Sequence, residues 1–523
     1  MKTIICCVRH GQTDGNKSRT FQGRSDLPLN SIGIEQANIS ADLLIKCPIK
    51  WDVIISSPFI RAYQTCQIIA NKIGYTDPII VDPLAIERAF GEGEGKPITE
   101  ENYKLISENF FKGQESEQDI IKRGNELINK ILLNYPGKNI LLVSHSHFIK
   151  SLLIPHDNTL KFDSGIPNAS LNFLTYTDNK FEKAEIGIYL SHWNFPKHSK
   201  LSAVMLHDLG QQHGEWPMMW KLEFWDKFDL AFLPSNDWAE MWTNGSKYKF
   251  VRPRIGAFLT GWPKSDRIFE KNFFSDTDTI KEMIDSSKKT ILYAPSWEWD
   301  ERELEIATIV KDMDVNLLIK QFPATPTVFP QQYEIINKVH EKVRALNLSN
   351  VHILDSSVNI YDAISVCDVL VSEESSTLYE AMLMDKPMIA VTDWLVPDVN
   401  PPRLPEFPYD FAIHTEHKFL KQTLQNVLQN NDSLEAIKKF REKNFSDLGN
   451  SGKKTMDVID SILENKIIDK YKIPTIAEEY IPKEYRISVR NRKFMLAKYE
   501  FVHTTKLGAF LFKIYTRLKC RNQ

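Results

Sequence analysis

The stretch "CVRHGQTDGN" at residues 7–16 sets Arg9 and His10 side by side directly after an apolar run. A lone Arg-His pair of this kind reads equally well as a solvated turn. Three further stretches shift that reading, because each brings another polar residue to the end of an apolar run. "IISSPFIRAYQT" brings Arg61, "DPLAIERAFGEGEG" brings Glu87 and "LLVSHSH" brings His145. Two guanidinium groups and two imidazoles gathered together make a pocket for a dianion, since arginine offers a two-pronged donor to phosphate oxygens. A neutral imidazole at His10 can attack phosphorus without a strong base. Glu87 would supply the acid that protonates the departing oxygen.

These residues need a scaffold that brings four strand ends together. The strand-like runs "TIICCV", "WDVIISS", "PIIVD" and "NILLVSH" alternate with "GIEQANISADLLI", "IRAYQTCQIIANKIG" and "SEQDIIKRGNELINKILLNY", which carry a helical period. Such alternation predicts an α/β fold, a mostly parallel sheet covered by helices. Ligands of open α/β sheets bind beyond the carboxyl ends of the strands, where the four polar segments fall. Two more strand-like runs, "ASLNFLTYT" and "FEKAEIGIYL", are expected to close a first domain spanning 1–192.

The chain has 523 residues and a formal net charge of -3. At roughly 100–200 residues per domain, two to four domains are expected. Near-neutral charge gives no reason to expect nucleic acid as a partner. The six cysteines, at 6, 7, 47, 66, 367 and 520, show neither metal spacing nor a dense framework. Reduced thiols in the cytoplasm are the expectation, with no metal and no cofactor. "MKTIICCV" is too short for a signal peptide, and no apolar run of about 18 residues predicts a membrane span.

The four motifs, "RHGQTDGN…FQGRSDLPLNSIGIEQA", "SSPFIRAYQT", "LAIERAFGEGEG" and "LLVSHS", together resemble the histidine phosphatase superfamily, also called phosphoglycerate-mutase-like. The resemblance covers about residues 1–190. It implies a three-layer α/β/α domain and a phosphohistidine at His10, with Arg9, Arg61 and His145 holding the phosphoryl group. It places Glu87 on the proton donor and Asn16 on a phosphate contact, with Gln22 and Arg24 as further lining residues. "FGEGEG" is closer to the phosphatase pattern than to the mutase pattern. The family's two small residues after the second His are replaced here by Ser146 and His147, and His147 is expected to narrow the pocket or add a ligand.

A shift in composition follows. Residues 193–270 are rich in Trp, Met and Phe and are expected to open a second domain, 193–285; from "TILYAPS" onward βα alternation resumes, and 286–465 is expected to form a further, nucleotide-binding half. In "SEESSTLYEAMLMDKPMIAV", Ser375 and Ser376 open a helix after an apolar strand. They read either as a plain N-cap pair or as phosphate ligands at a helix N-terminus. With "ILYAPSWEW" and "GAFLTGWPKSD", this stretch resembles the CDP-glycerol glycerophosphotransferase family, which builds teichoic-acid-type polymers on a GT-B scaffold of two Rossmann-type halves. The resemblance covers about 200–460 and implies a nucleotide-activated donor such as CDP-glycerol. It implies that Ser375 and Ser376 bind the donor diphosphate and that Asp368 and Glu380 support the nucleotide pocket. It also implies a catalytic base in a His-Gly loop, for which "LHDLGQQHGEW" offers His207 and His213. Phe322 stands where the family commonly has a His, and the first half, at about 90 residues, is short.

The tail, 466–523, carries eleven Lys/Arg against two Asp/Glu from Lys483 onward. "TTKLGAFLFKIYTRLKCR" alternates basic and apolar residues at roughly helical spacing. It reads as a basic amphipathic helix that lies on an anionic membrane surface or packs on the transferase domain. The chain is therefore expected to be a bifunctional enzyme of surface polysaccharide (teichoic-acid-like or capsule) synthesis. It would hydrolyse a phosphorylated small molecule and transfer glycerol phosphate or a related group to a lipid-linked or polysaccharide acceptor. It would be cytoplasmic, at the inner face of the plasma membrane. The alternative is a phosphatase carrying a catalytically silent nucleotide-sugar-binding or partner-binding module.

Overall fold

The computed structural model describes residues 1–481, apart from 157–159, 191–195, 197–198, 207–223, 271–275, 298, 325–328, 357, 398–400, 406–410, 431–432, 446–447 and 467–468, together with 490–491, 493–494, 497–498 and 501. His207, His213 and the segment 502–523, which holds most of the expected tail helix, lie outside the described residues. The chain divides into two compact units, built mainly on residues 1–185 and 201–493.

The first unit is a six-stranded sheet. Its strands are β1 (Lys2–Arg9), β2 (Val53–Ser56), β3 (Ile80–Val81), β4 (Asn139–Ser144), β5 (Leu171–Thr177) and β6 (Lys180–Glu182), in the order β3-β2-β4-β1-β5-β6. β1 to β4 are mutually parallel, and β5 and β6 run antiparallel at one edge. The period-2 alternation of β1 sends Ile5 and Cys7 into one core and Cys6 and Val8 into another, so the sheet is covered on both faces. The helix α1 (Ile60–Lys72) packs Ala62, Cys66 and Ile69 on one face, while α2 (Glu117–Asn134) and α3 (Ser146–Leu153) pack Leu127, Ile131, Phe148 and Ile149 on the other. This is the three-layer arrangement. "FEKAEIGIYL" divides between two sheets. β6 stays in the first, but β7 (Ala184–Tyr189) joins the edge of the second.

The second unit holds two sheets. One, in the order β10-β9-β8-β7, uses β8 (Ser199–Met205), β9 (Leu230–Leu233) and β10 (Gly256–Leu259), which are parallel. The other is an all-parallel six-stranded sheet in the order β13-β12-β11-β14-β15-β16. Its strands are β11 (Lys289–Tyr293), β12 (Val315–Ile319), β13 (Val351–Ile353), β14 (Val369–Ser372), β15 (Met388–Val391) and β16 (Ile413–Thr415). β12, β14 and β15 are buried at every position, as expected of strands covered on both faces. α4 (Thr377–Leu383) follows β14.

The smaller sheet is completed by chain from far downstream. α5 (Ser451–Leu463) sets Val458 and Ile459 into a core with Ala203, Leu230, Phe232 and Phe258. Residues 471–473 then run antiparallel along β10. Leu259 N–H donates to Tyr471 O at 2.8 Å, and Ile473 N–H donates to Ala257 O at 2.9 Å. The short first half recognised in the sequence thus acquires its last helix and its edge cover from residues 451–473. Among the described residues, no helix is long and apolar enough to cross a membrane.

Candidate active sites

His10 follows β1 and is 3% exposed. Gly11 beside it lets two backbones touch, since a Cβ there would sit 2.2 Å from Gly33 O. That contact and the bond from Gly11 N to Thr65 Oγ1 (3.0 Å) fix the loop against its helices. His10 Nδ1 lies 2.7 Å from Gly11 O, and a carbonyl only accepts. The ring therefore carries its proton on Nδ1, and its Nε2 lone pair accepts from Arg61 Nε at 3.3 Å. Arg61, on the first turn of α1, is itself held by Ser25 O (2.5 Å) and Gly23 O (3.0 Å). Burial, then the Arg61 and Arg9 charges, hold the His10 imidazole well below its ordinary pKa, so it is neutral at pH 7.

His145 follows β4 at the position just before α3, its ring 5.1 Å from that of His10. Its Nε2 meets Ser57 Oγ at 2.7 Å. Its Nδ1 is buried and has no hydrogen-bond partner among the described residues, and Arg9 Nε is in the same condition. Arg9 anchors its other arm on Ile166 O. Burial, then Glu87, which acts in the opposite direction, lead the causes that leave the Arg9 guanidinium lowered to about 10.

Glu87, 6% exposed, reaches across to the start of α3. Its Oε1 accepts from Arg88 N (2.9 Å) and Phe148 N (3.1 Å), and among the described residues its Oε2 accepts only from His147 N (3.2 Å). One carboxylate thereby satisfies two of the free N–H groups of the helix and keeps a lone pair on Oε2. Asn16 closes a capping box with Thr13, and its Oδ1 also accepts from Asn168 Nδ2 at 3.2 Å. Gln22 Oε1 accepts from Thr13 Oγ1 at 2.8 Å. Arg24 is half-exposed at the rim, 3.8 Å from Glu115. The described residues thus bring together Arg9, His10, Arg61 and His145, with Asn16 linked to His10 O through Asn168.

His147 is not aimed at this pocket. Its ring packs among Phe90, Tyr103 and Phe162, with Nε2 2.8 Å from the Tyr103 hydroxyl, which donates to Phe162 O. The residue fills an aromatic cage beneath the helix and neither narrows the pocket nor adds a phosphate ligand. Ser57 and Asn168 escaped the sequence reading. Ser57 lies inside the quoted "SSPFIRAYQT", where its place after a strand was the available signal, whereas Asn168 gave none.

In the second unit, β12, β11 and β14 are adjacent and parallel, so their carboxyl ends lie on one side of the sheet. Ser375 Oγ accepts from Thr377 N (3.3 Å) and Thr377 Oγ1 (3.1 Å). Beneath it, fully buried Glu373 accepts from Ser296 N, Ser296 Oγ and Trp297 N through Oε1 alone. Lys320, buried at the end of β12, is lowered to about 8 by burial. One expectation is corrected. Asp368 precedes β14 and so lies at the opposite end of the strand from the serines, where it accepts from Lys289 Nζ and Thr290 N at 2.8 Å. It joins strand beginnings and cannot line a pocket at strand ends. Glu380, on α4, is 1% exposed and pairs with Lys264. Phe322 packs its ring against Trp297 and Phe329, at 5.2 and 5.6 Å.

Residues 5–188 match the profile of the histidine phosphatase superfamily (branch 1). Residues 199–464, half of the chain, match that of CDP-glycerol:poly(glycerophosphate) glycerophosphotransferase. The chain belongs to both families. The uncharacterized phosphatase PhoE of Bacillus subtilis is 31% identical over 36% of this chain and 95% of its own. A 2,3-bisphosphoglycerate-dependent phosphoglycerate mutase of Cytophaga hutchinsonii is 28% identical over 29% of this chain and 76% of its own. A solved mycobacterial glucosyl-3-phosphoglycerate phosphatase is 24% identical over 34% of this chain and 91% of its own, with a TM-score of 0.29. The protein is thus a histidine phosphatase domain joined to a glycerophosphotransferase domain, and a phosphorylated substrate and a nucleotide-type donor fit the two.

Proposed function

We propose that the first unit hydrolyses a phosphomonoester through a phosphohistidine. The observation that carries this reading is the fixed Nε2 lone pair of His10 together with two buried nitrogens, Arg9 Nε and His145 Nδ1, that have no hydrogen-bond partner among the described residues. Those nitrogens and Arg61 suit the oxygens of a transferring phosphoryl group. The Nε2 lone pair attacks phosphorus, and the P–O ester bond breaks as the leaving oxygen takes a proton from Glu87 Oε2. Water then attacks phosphorus, giving its proton to Glu87, and the P–N bond breaks to release inorganic phosphate. The test is labelling of the full chain with a ³²P-phosphomonoester. An acid-labile label that disappears in His10→Ala, together with turnover, is the expected result; a variant that still turns over sinks the reading.

The second unit, in this proposal, transfers glycerol phosphate or a related group from CDP-glycerol or a similar donor to a surface polysaccharide (teichoic-acid-like or capsular). The acceptor is lipid-linked or polysaccharide, and the basic tail brings the protein to the membrane. Ser375 and Ser376, just ahead of α4, are the donor diphosphate ligands, and His207 or His213 is the base. One observation favours a second reading, a silent binding module: Phe322 turns a position of expected phosphate contact into an aromatic contact with Trp297 and Phe329. Release of CMP from CDP-glycerol supports the transferase reading, and its absence with every nucleotide-polyol and nucleotide-sugar donor tried supports the silent module.

A further inference from the structure

Residues 86–89, which carry Glu87, belong to no helix or strand, so their backbone has to be held by other groups. One side chain does much of this. Arg123, on α2, donates from Nη1 to Leu84 O at 2.7 Å and to Ile86 O at 2.8 Å, and from Nη2 to Glu87 O at 3.5 Å. Its Nε and Nη2 also fork onto the Glu115 carboxylate, at 2.8 Å each. All five N–H donors of the guanidinium are thereby engaged. Glu115, two residues ahead of α2, adds further ties to the same stretch. Its carboxylate accepts from Ala89 N at 3.3 Å, and its carbonyl accepts from Arg88 Nε at 2.8 Å. The Arg123 side chain is 14% exposed, so little water competes for these bonds.

The same guanidinium lies over the Phe148 ring, 5.0 Å from its centre. Phe148 N–H is one of the two α3 donors that the Glu87 carboxylate accepts. Arg123 therefore meets both ends of the connection between Glu87 and α3: the backbone that carries the carboxylate and the residue that receives it. With every donor spent it has none to offer a substrate, which separates its role from that of Arg9 and Arg61. Lysine does not fit this arrangement, because an ammonium has three donors and no planar fork. Of the groups assigned to the phosphatase chemistry, Glu87 is the one carried on the stretch that Arg123 holds. A misplacement of about 1 Å at a reacting group can cost roughly 10²-fold in rate, so the hold matters most for the transfer of the proton.

We propose that Arg123 is a positioning residue that aims the Glu87 carboxyl at the leaving oxygen, acting through the carbonyls of residues 84–87 and the ring of Phe148. This role rests on the reading of Glu87 as proton donor, and the test separates the two. The full chain is assayed with phenyl phosphate and p-nitrophenyl phosphate, which differ little in shape. Phenolate is a poor leaving group that needs a proton, whereas p-nitrophenolate departs without one. The measured quantity is kcat/KM, because it reports the steps up to departure of the phenol and not the later attack of water. For Arg123→Lys the expected result is a loss of about tenfold or more on phenyl phosphate and of no more than about threefold on p-nitrophenyl phosphate. Inhibition by inorganic phosphate should not change, since the groups that would hold it are untouched. Glu115→Gln, which loosens the fork but keeps the guanidinium, should show a smaller loss with the same selectivity, and it decides on the same criterion if Arg123→Lys does not fold. Equal losses on the two esters, as a merely structural role would give, overturn the proposal, and so does no loss on either. Glu87→Gln is measured alongside. If it is selective between the esters and the Arg123 and Glu115 variants are not, the inference fails and the proton-donor reading stands. If Glu87→Gln loses both esters equally, that reading fails and the role of Arg123 falls with it.

Discussion

Glu87 has two tasks that substitutions can separate. Its carboxylate caps α3 through His147 N and Phe148 N, and in the proposed chemistry it carries the proton to the leaving group. Glu87→Gln keeps a carbonyl oxygen for the helix but carries no transferable acidic proton. We expect its kcat to fall roughly 10²–10⁴-fold, the usual value of a positioned general acid, with the melting temperature nearly unchanged. Glu87→Ala should lose the same activity and, in addition, about 1 kcal/mol or more of stability from the lost cap, measured by denaturant unfolding. At this scale the sequence was readable where a strand ended in a reactive side chain, as at His10 and His145. It was opaque where a role depends on a distant contact. Nothing near Glu87 announces that it meets backbone 60 residues later, and nothing near Asn168 links it to His10 O. His147 misled for a related reason, because a helical residue after the catalytic strand can point into the core as readily as into the pocket.

The same contrast holds among the elements. The buried, β-branched runs of β1, β4, β11 and β14 gave themselves away, and their direction alone could have put Asp368 at the wrong end of its strand. β7 could not be assigned to a sheet by pattern, since a short run with two half-buried faces pairs with whichever edge is open. The contribution of α5 to the smaller sheet is equally invisible, because an amphipathic helix does not say which sheet it covers. Its packing is nonetheless testable. Val458 is 0% and Ile459 3% exposed, between β8, β9 and β10. Ile459→Ala should cost about 2–5 kcal/mol, the range for large-to-small changes in a core. Calorimetry of the full chain should show that cost in the unfolding of the second unit, with the transition of the first unit unmoved.

For the whole molecule, two compact units predict two unfolding transitions, and acid should separate them. His10, His145 and His147 are all buried in the first unit, and burial is the largest cause holding each well below the ordinary 6.5. Below about pH 6.5 the unfolded chain takes up protons that the folded unit refuses, so unfolding is favoured. The stability of the first unit is thus present in full above that pH and is lost as pH falls, by up to about 1.4 kcal/mol per pH unit for each ring. We expect the transition assigned to residues 1–185 to move down between pH 7 and 5, and saturating inorganic phosphate at neutral pH to raise it by about 2.7 kcal/mol at a hundredfold excess over its dissociation constant. An acid response no greater than that of the second unit would contradict the assignment.

The pairing of β10 with residues 471–473 bears on biosynthesis. Translation proceeds from the amino end, and domains generally acquire their structure in that order. The sheet of the first unit can form on the ribosome once residues 1–185 have emerged. The transferase half that begins near residue 200 cannot, because its edge stays bare and its hydrophobic floor open until more than 250 further residues have been made. Over that interval the nascent chain exposes a naked strand and an unfilled core, and a chaperone that shields them would decide how much of the second unit is ever formed.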